Sequence, residues 1–244
     1  MACFRSKFVG VSTLVCLTFI SLLTIRRADL TMALLTDNKP TFFSDSITWE
    51  PYIAKVETAS PELLPHHFAT LDLKVRCIWV DLREFIRSAN LAFQTGRKID
   101  CFLFQDVLIS VQYRLQLLSV ETQAKAIHIG MLAFSTDVFL QLKGLEMRFK
   151  NTAAQLRDAI LELQDLEDES ILEFKLWLLF VARLSNAKDN QDSWLMPEMK
   201  RILKALSLKT WKAVRERLKI YLWIDVLHDS GGRETFATAN SIGG

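Results

Sequence analysis

Asp225 and His228 stand three residues apart near the end of an expected helix, so an acid and a base share one helix face and could look into one cleft. Pairs at this spacing recur by chance, and the two are carried as a candidate general acid and base without being assigned a reaction. His66 and His67 are the second candidate, since imidazoles bind metals. Adjacent side chains diverge, however, and no partner ligand stands nearby in the sequence, which favours a solvated loop pair. The four cysteines, Cys3, Cys16, Cys77 and Cys101, are widely spaced, without a C-x-x-C pair or a Cys/His grouping at metal-ligand spacing. Neither a zinc site nor a disulfide framework is indicated.

The window from Lys200 to Lys219 concentrates Lys200, Arg201, Lys204, Lys209, Lys212, Arg215, Arg217 and Lys219 against one acid, Glu216. Phosphate contacts need such clustering. These cations are nevertheless spread around the polar arcs of two expected helices. An earlier acidic run (Asp158, Glu162, Asp165, Glu167, Asp168, Glu169) offers partners of opposite sign, so a solvated, salt-bridged face is the favoured reading. No G-x-G-x-x-G, Walker A loop, H-E-x-x-H, G-x-S-x-G or EF-hand pattern occurs. The expectation is a chain that is not an enzyme and has no assigned catalytic, metal-binding or DNA-reading residue and no cofactor.

The elements that must position these residues follow from composition and period. The 244 residues are 50% hydrophobic and 24% charged, as in ordinary globular proteins, and 8 Gly and 5 Pro leave too little turn punctuation for a β-sandwich or barrel. Net charge is +2, which gives no whole-chain attraction to nucleic acid or anionic lipid. The expected fold class is all-α, with roughly eight helices pairing antiparallel with their neighbours in one domain over residues 1–230.

Residues 8–25, FVGVSTLVCLTFISLLTI, carry no charge and lie at the lower edge of what crosses a bilayer. Gly10, Ser12, Thr13, Thr18, Ser21 and Thr24 soften the run, which favours a buried helix; a single-pass membrane anchor is the alternative. Arg5, Lys7, Arg26 and Arg27 divide too evenly to orient such an anchor. Secretion is set aside, because the run ends without a small-residue cleavage pattern and the chain has no N-x-Ser/Thr acceptor.

Asp37-Asn38-Lys39-Pro40 reads as a turn, and residues 37–69 as an irregular, proline-containing connection draped on the core through Phe42, Phe43, Trp49, Tyr52 and Phe68. Apolar residues three or four apart then predict helices over 71–95 with Gly96 as C-cap, over 101–118 with Asp100 as cap, and over 121–149 with Gly144 as a weak point. Asn151 and Thr152 offer caps for a helix through Leu163, followed by helices over 169–184, 192–206 and 209–227. The last carries the stripe Trp211, Val214, Leu218, Tyr221 and Leu222. Gly231-Gly232 should end it, leaving 231–244 as a flexible tail. The six tryptophans, Trp49, Trp79, Trp177, Trp194, Trp211 and Trp223, are expected in the core, with a minority free to line a ligand pocket between helices.

Three stretches, ADLTMALLTDNKPTFF (28–43), LEFKLWLLFVARLS (172–185) and WKAVRERLKIYLWIDVLHD (211–229), resemble in order and spacing the helical regulatory region of fungal zinc-cluster transcription factors, the fungal-specific transcription factor domain. The resemblance covers about residues 10–230. It implies a nuclear, regulatory module that acts through protein contacts, with the transcription machinery or with itself, or through a small-molecule effector. Members of that family usually carry a six-cysteine zinc cluster that docks on DNA. Four scattered cysteines cannot supply it, so no direct sequence-specific DNA binding is expected, and a truncated paralogue or an incomplete gene model is the expectation for the chain.

Overall fold

In the computed structural model the described residues are 22–42, 47–54, 64–65, 68, 70–99, 101–120, 124–140, 147, 149–163, 168–185 and 192–241. They form helices α1 (22–36), α2 (Leu73–Thr95), α3 (Cys101–Leu117), α4 (Lys125–Leu140), α5 (Lys150–Glu162), α6 (Glu169–Ser185), α7 (Asp192–Ala205), α8 (Trp211–Leu218) and α9 (Asp225–Ser241), and no strand occurs among them. The all-α expectation holds. Helices from α2 to α7 each touch the next in sequence, while α6 also contacts α4, α8 and α9.

Helix α6 is the axis of this arrangement because it is buried around its whole circumference. Phe174 to Ala182 have almost no exposed surface, and even Glu173 and Lys175 are buried at its start. A helix that is apolar all round needs neighbours on every side. Its Trp177 stacks on Tyr221 with ring centroids 5.8 Å apart and meets Trp79 of α2 edge-on at 6.2 Å, while Phe180 packs against Trp211 and Trp223. The Trp177 indole N–H donates to Leu222 O at 2.9 Å, so the one polar atom of this buried ring is satisfied by the segment after α8.

Local signals account for most helix ends. Asp72 accepts from Lys74 N at the start of α2, and Gly96 closes it at φ 64° with its N–H on Phe93 O. Asp37 takes φ 55° after α1, in the expected turn. Other boundaries differ. Asn151 and Thr152 lie inside α5, which begins without a side-chain cap, and α4 is shorter at both ends than the expected 121–149. Asp100 and Gly144 lie outside the described residues. Near the two ends of α2, Leu73 and Phe93 are exposed.

The largest correction concerns the C-terminus. The expected helix over 209–227 is two helices, α8 and α9, joined by an apolar corner in which Tyr221, Leu222, Trp223 and Ile224 are all buried. After Leu218 the chain leaves the helix through tight turns in which Ile220 N donates to Arg217 O and Tyr221 N to Leu218 O. Residues 225–241 then form one helix, where a loose tail from 231 was expected. Gly231 and Gly232 both sit inside it, and at Gly232 α9 passes close to two indoles: a Cβ there would lie 2.5 Å from Trp211 and 2.9 Å from Trp223.

The connection after α1 is held chiefly by carboxylates, not by the expected aromatic anchors. Asp29 accepts from Thr41 N (2.9 Å), Phe42 N (3.0 Å) and Tyr113 Oη (2.7 Å), and burial beside this carboxylate pushes the Tyr113 phenol up. Asp81 accepts from Tyr52 N (2.7 Å), Ile53 N (2.9 Å), Ala54 N (3.1 Å) and the Arg114 guanidinium (2.6 Å), whose other arm donates to Glu50 O. Phe42 and Tyr52 are largely exposed. Phe68 is the expected aromatic anchor that does fill the core, edge-on to Trp79 at 4.8 Å, and Trp49 is half-buried beneath Lys74 Nζ. Phe43, most of 55–69 and residues 8–21 of the apolar run lie outside the described residues. Among those described, no helix is long and apolar enough to cross a membrane. Helix α1 turns Leu23, Leu30 and Ala33 inward and leaves Ile25, Met32 and Leu35 exposed.

Two predictions follow from this packing. Gly232→Ala will destabilise the protein in urea unfolding even though alanine is favoured over glycine in a helix by about 1 kcal/mol, because rigid indoles stand where the methyl must go; Gly231→Ala, which meets only the flexible end of Leu184, will be neutral or stabilising. Asp81→Ala will cost about 3–5 kcal/mol by leaving the Arg114 charge buried without its carboxylate, read as a lower urea midpoint.

Candidate functional site

Asp225 and His228 both lie in the first turn of α9, and the fold gives each of them separate partners. Asp225 Oδ2 accepts from Arg215 (2.8 Å) and Lys219 Nζ (3.0 Å), which ties the start of α9 to α8 and the turn after it. Asn90 completes that joint from α2: its Oδ1 accepts from Asp225 N at 2.9 Å and its Nδ2 donates to Trp223 O at 3.0 Å. His228 Nδ1 accepts from Ile224 N at 3.0 Å, so the neutral ring carries its proton on Nε2. That nitrogen lies 4.0 Å from Asp137 Oδ2 of α4, while the ring sits between Phe134 and Trp223 at 5.2 and 5.1 Å. The acid facing His228 is therefore Asp137. Sequence spacing could not find it, because α4 and α9 are distant in the chain and meet only in the folded state.

Burial shapes both titrations. It pushes His228 down to about 4, against the weaker pull of the Asp229 charge, and raises Asp137 to about 6. His128, the other described histidine, is also lowered by burial, and its Nε2–H donates to Leu115 O at 2.7 Å. His66 and His67 lie outside the described residues, as do Cys3 and Cys16. Cys77 is a buried thiol whose pKa is raised by desolvation. Among the described residues no group of three or more His, Cys, Asp or Glu could hold a metal ion.

The basic window is largely a salt-bridged face, although the acids differ from those expected. Arg215 pairs with Asp225 and Asp229, Arg217 with Glu173 and Glu169, and Arg201 with Glu198, which also takes Lys175 at 2.9 Å. The hydrogen bond from Arg201, with help from Lys175, holds the Glu198 carboxyl down at about 2. Of the earlier acidic run, Glu169 joins this set, whereas Glu162 pairs with Lys125 and residues 164–167 lie outside the described residues. Lys204, Lys209 and Lys212 stay exposed.

Three tryptophans, Trp79, Trp177 and Trp223, are fully buried as expected of a core; Trp49, Trp194 and Trp211 are half-buried. A cleft of about 440 Å³ between α2 and the corner joining α8 to α9 is lined by Arg83, Glu84, Arg87, Asn90 and Lys219 over the buried Val80, Ile86, Tyr221 and Trp223. A second cleft of about 360 Å³ opens between the α2 N-terminus and the end of α3, beside Trp49, and an apolar groove of about 120 Å³ lies between α1, α3 and α4.

Comparison of the chain with protein-family models, with curated proteins and with solved structures finds no match.

The opposed shifts of His228 and Asp137 make a pH prediction with a definite sign. His228 is below its unfolded value of about 6.5, so its contribution is intact above that pH and is lost as the pH falls toward 4, up to about 3 kcal/mol. Asp137 is above its unfolded value, so its cost is present above pH 6 and is relieved as the pH falls through 6 toward 3.8. Asp137→Asn removes that relief. The variant will be at least as stable as the natural chain at pH 7.5 and will lose stability more steeply between pH 6.5 and 4; parallel thermal-unfolding profiles would refute this.

Proposed function

We propose that this chain is a non-enzymatic, all-α regulatory domain that acts in transcriptional control in the nucleus through protein contacts or a small effector, and that it resembles the regulatory region of fungal zinc-cluster transcription factors. The observation that carries the reading is the joint between two of the three resembling segments. Segment 172–185 is the buried α6, and segment 211–229 wraps it, with Trp177 bonded to Leu222 O and Phe180 set against Trp211 and Trp223. Such ordered Trp/Leu-rich helices are a packing requirement of one core, and the wrapping segment also supplies Lys219 to the cleft of about 440 Å³ beside α2. Clefts between helices are where helical domains receive ligands and partner segments. The third segment, 28–43, is stapled by Asp29 to α3 and takes no part in that cleft.

The groups that could have done acid–base chemistry are engaged elsewhere. Asp225 holds the α8–α9 corner and His228 holds the backbone at Ile224. A binding role uses the same residues as a rigid frame. No DNA-reading residue is assigned, and the exposed lysines 204, 209 and 212 make only a diffuse positive surface.

The test is a tethering assay. Fused to a DNA-binding domain of known site, the full chain will change transcription of a reporter severalfold relative to that domain alone; an unchanged reporter with normal fusion-protein levels would end the regulatory reading. In gel-shift experiments the chain alone will give no sequence-selective complex at physiological salt, and a tight, selective one would assign it a DNA-binding surface of its own.

A further inference from the structure

We propose that the C-terminal half of α2, with Lys219 across the cleft from it, is a docking face for an acidic, leucine-containing segment of a partner protein. The inference rests on the reading of the chain as a domain that acts through protein contacts, and it names the chemistry of one such partner.

Charge is the first argument. From residue 83 to residue 99 the chain carries four cations, Arg83, Arg87, Arg97 and Lys98, against one carboxylate, Glu84. All four cations are exposed. Lys219 adds a fifth from the facing element: it lines the same cleft as Arg83 and Arg87 and gives one of its three donors to Asp225. This balance differs from that of Arg201 and Arg215, which carboxylates hold at 2.8 Å. Arg87 meets Glu84 only at 3.8 Å, with its own side chain 79% exposed, and an exposed pair of that length contributes little. A carboxylate brought by a partner displaces Glu84 at small cost and gains the field of the remaining cations.

Cations alone would accept any polyanion, and the selective part of the face is apolar. Arg83, Arg87 and Leu91 recur every four residues and so share one stripe of α2. Leu91 is 55% exposed, and Phe93 in the last turn is 59% exposed. Leucines set between the acids of a partner segment cover such side chains, whereas a phosphate backbone has nothing to cover an aliphatic group with. The face is also held in shape. Asn90, next to Leu91, accepts from Asp225 N and donates to Trp223 O, so α2 and the corner that follows Lys219 keep a fixed separation. A surface already ordered loses little freedom on binding. From Arg83 to Arg97 the helix runs about 20 Å, the length of a helical segment of about 14 residues.

Fluorescence anisotropy of the full chain with a labelled synthetic peptide of about 14 residues, its leucines three or four apart among aspartates and glutamates, tests the face. The peptide will bind, and more weakly as salt is raised. Its counterpart with serine for leucine will bind about tenfold more weakly, and its counterpart with lysine for each acid will not bind. Arg87→Glu with Arg97→Glu will weaken the leucine peptide about tenfold or more, whereas Lys204→Glu with Lys212→Glu, the same change in net charge at exposed positions elsewhere, will leave it within about twofold. Leu91→Ser will weaken the leucine peptide and leave the serine peptide unchanged, an outcome that a merely electrostatic surface does not give. Equal loss in the two charge-reversed variants, or equal binding of the leucine and serine peptides, would overturn the docking face. So would displacement of the labelled peptide by a DNA duplex at lower concentration than by the unlabelled peptide, which would make the face a nucleic-acid surface. If the peptide does not bind while the tethered chain still alters its reporter, the docking inference is wrong and the regulatory reading survives; if it binds as expected and the reporter is unchanged, the face stands and the regulatory reading falls.

Discussion

The buried pair of Asp81 and Arg114 is the constraint on which the front of this molecule depends. Neither side chain has any exposed surface, and two charges taken so far from water are tolerable only when their remaining hydrogen-bonding capacity is filled. Here the filling is done by the connection after α1: three consecutive backbone N–H groups close on the carboxylate, and Glu50 O takes an arm of the guanidinium. The irregular segment thus stabilises the ion pair, and the ion pair gives the segment one conformation. Asp29 repeats the device on a smaller scale, binding the turn after α1 to α3 through Tyr113. Apolar draping alone would let such a segment slide; a carboxylate facing named amides does not.

Behind that front the organising element is α6. Its circumference is covered by α4, α5, α7, α8 and α9, and its aromatic residues meet rings from α2 and from the α8–α9 corner. The consequence reaches the surface. The corner buries Tyr221, Leu222, Trp223 and Ile224 on α6 and its neighbours, and Lys219 just before it lines the cleft against α2. Asn90 fastens the same corner to α2 from the other side, so cleft and core are set by one joint.

The helical class and most helix positions were legible in the sequence, because they follow from local quantities: a period of three to four between apolar residues, few glycines and prolines, a cap at Asp72 and a left-handed stop at Gly96. The expected salt-bridged character of the 200–219 window was legible for the same reason, since amphipathic patterning places cations on solvated arcs. The misreadings also have a common cause. Gly231-Gly232 looks like a terminator when only propensity is weighed, yet the indoles of Trp211 and Trp223 require a residue without a side chain at 232. The 211–222 stripe looks like one straight helix, yet the chain turns after Leu218 and a second helix begins at Asp225.

What the sequence by itself determined was which segments become helices and which faces seek the interior, for these depend on neighbours within about one or two turns. Only the tertiary structure decided which charges meet. Asp137 facing His228, Asp81 enclosing Arg114, and Asp225 pairing with Arg215 and Lys219 all join elements that local pattern treats as independent. Hydrophobic burial is nondirectional and leaves its period in the chain, whereas a polar partnership is directional and exists only once packing has brought two groups to within hydrogen-bond reach.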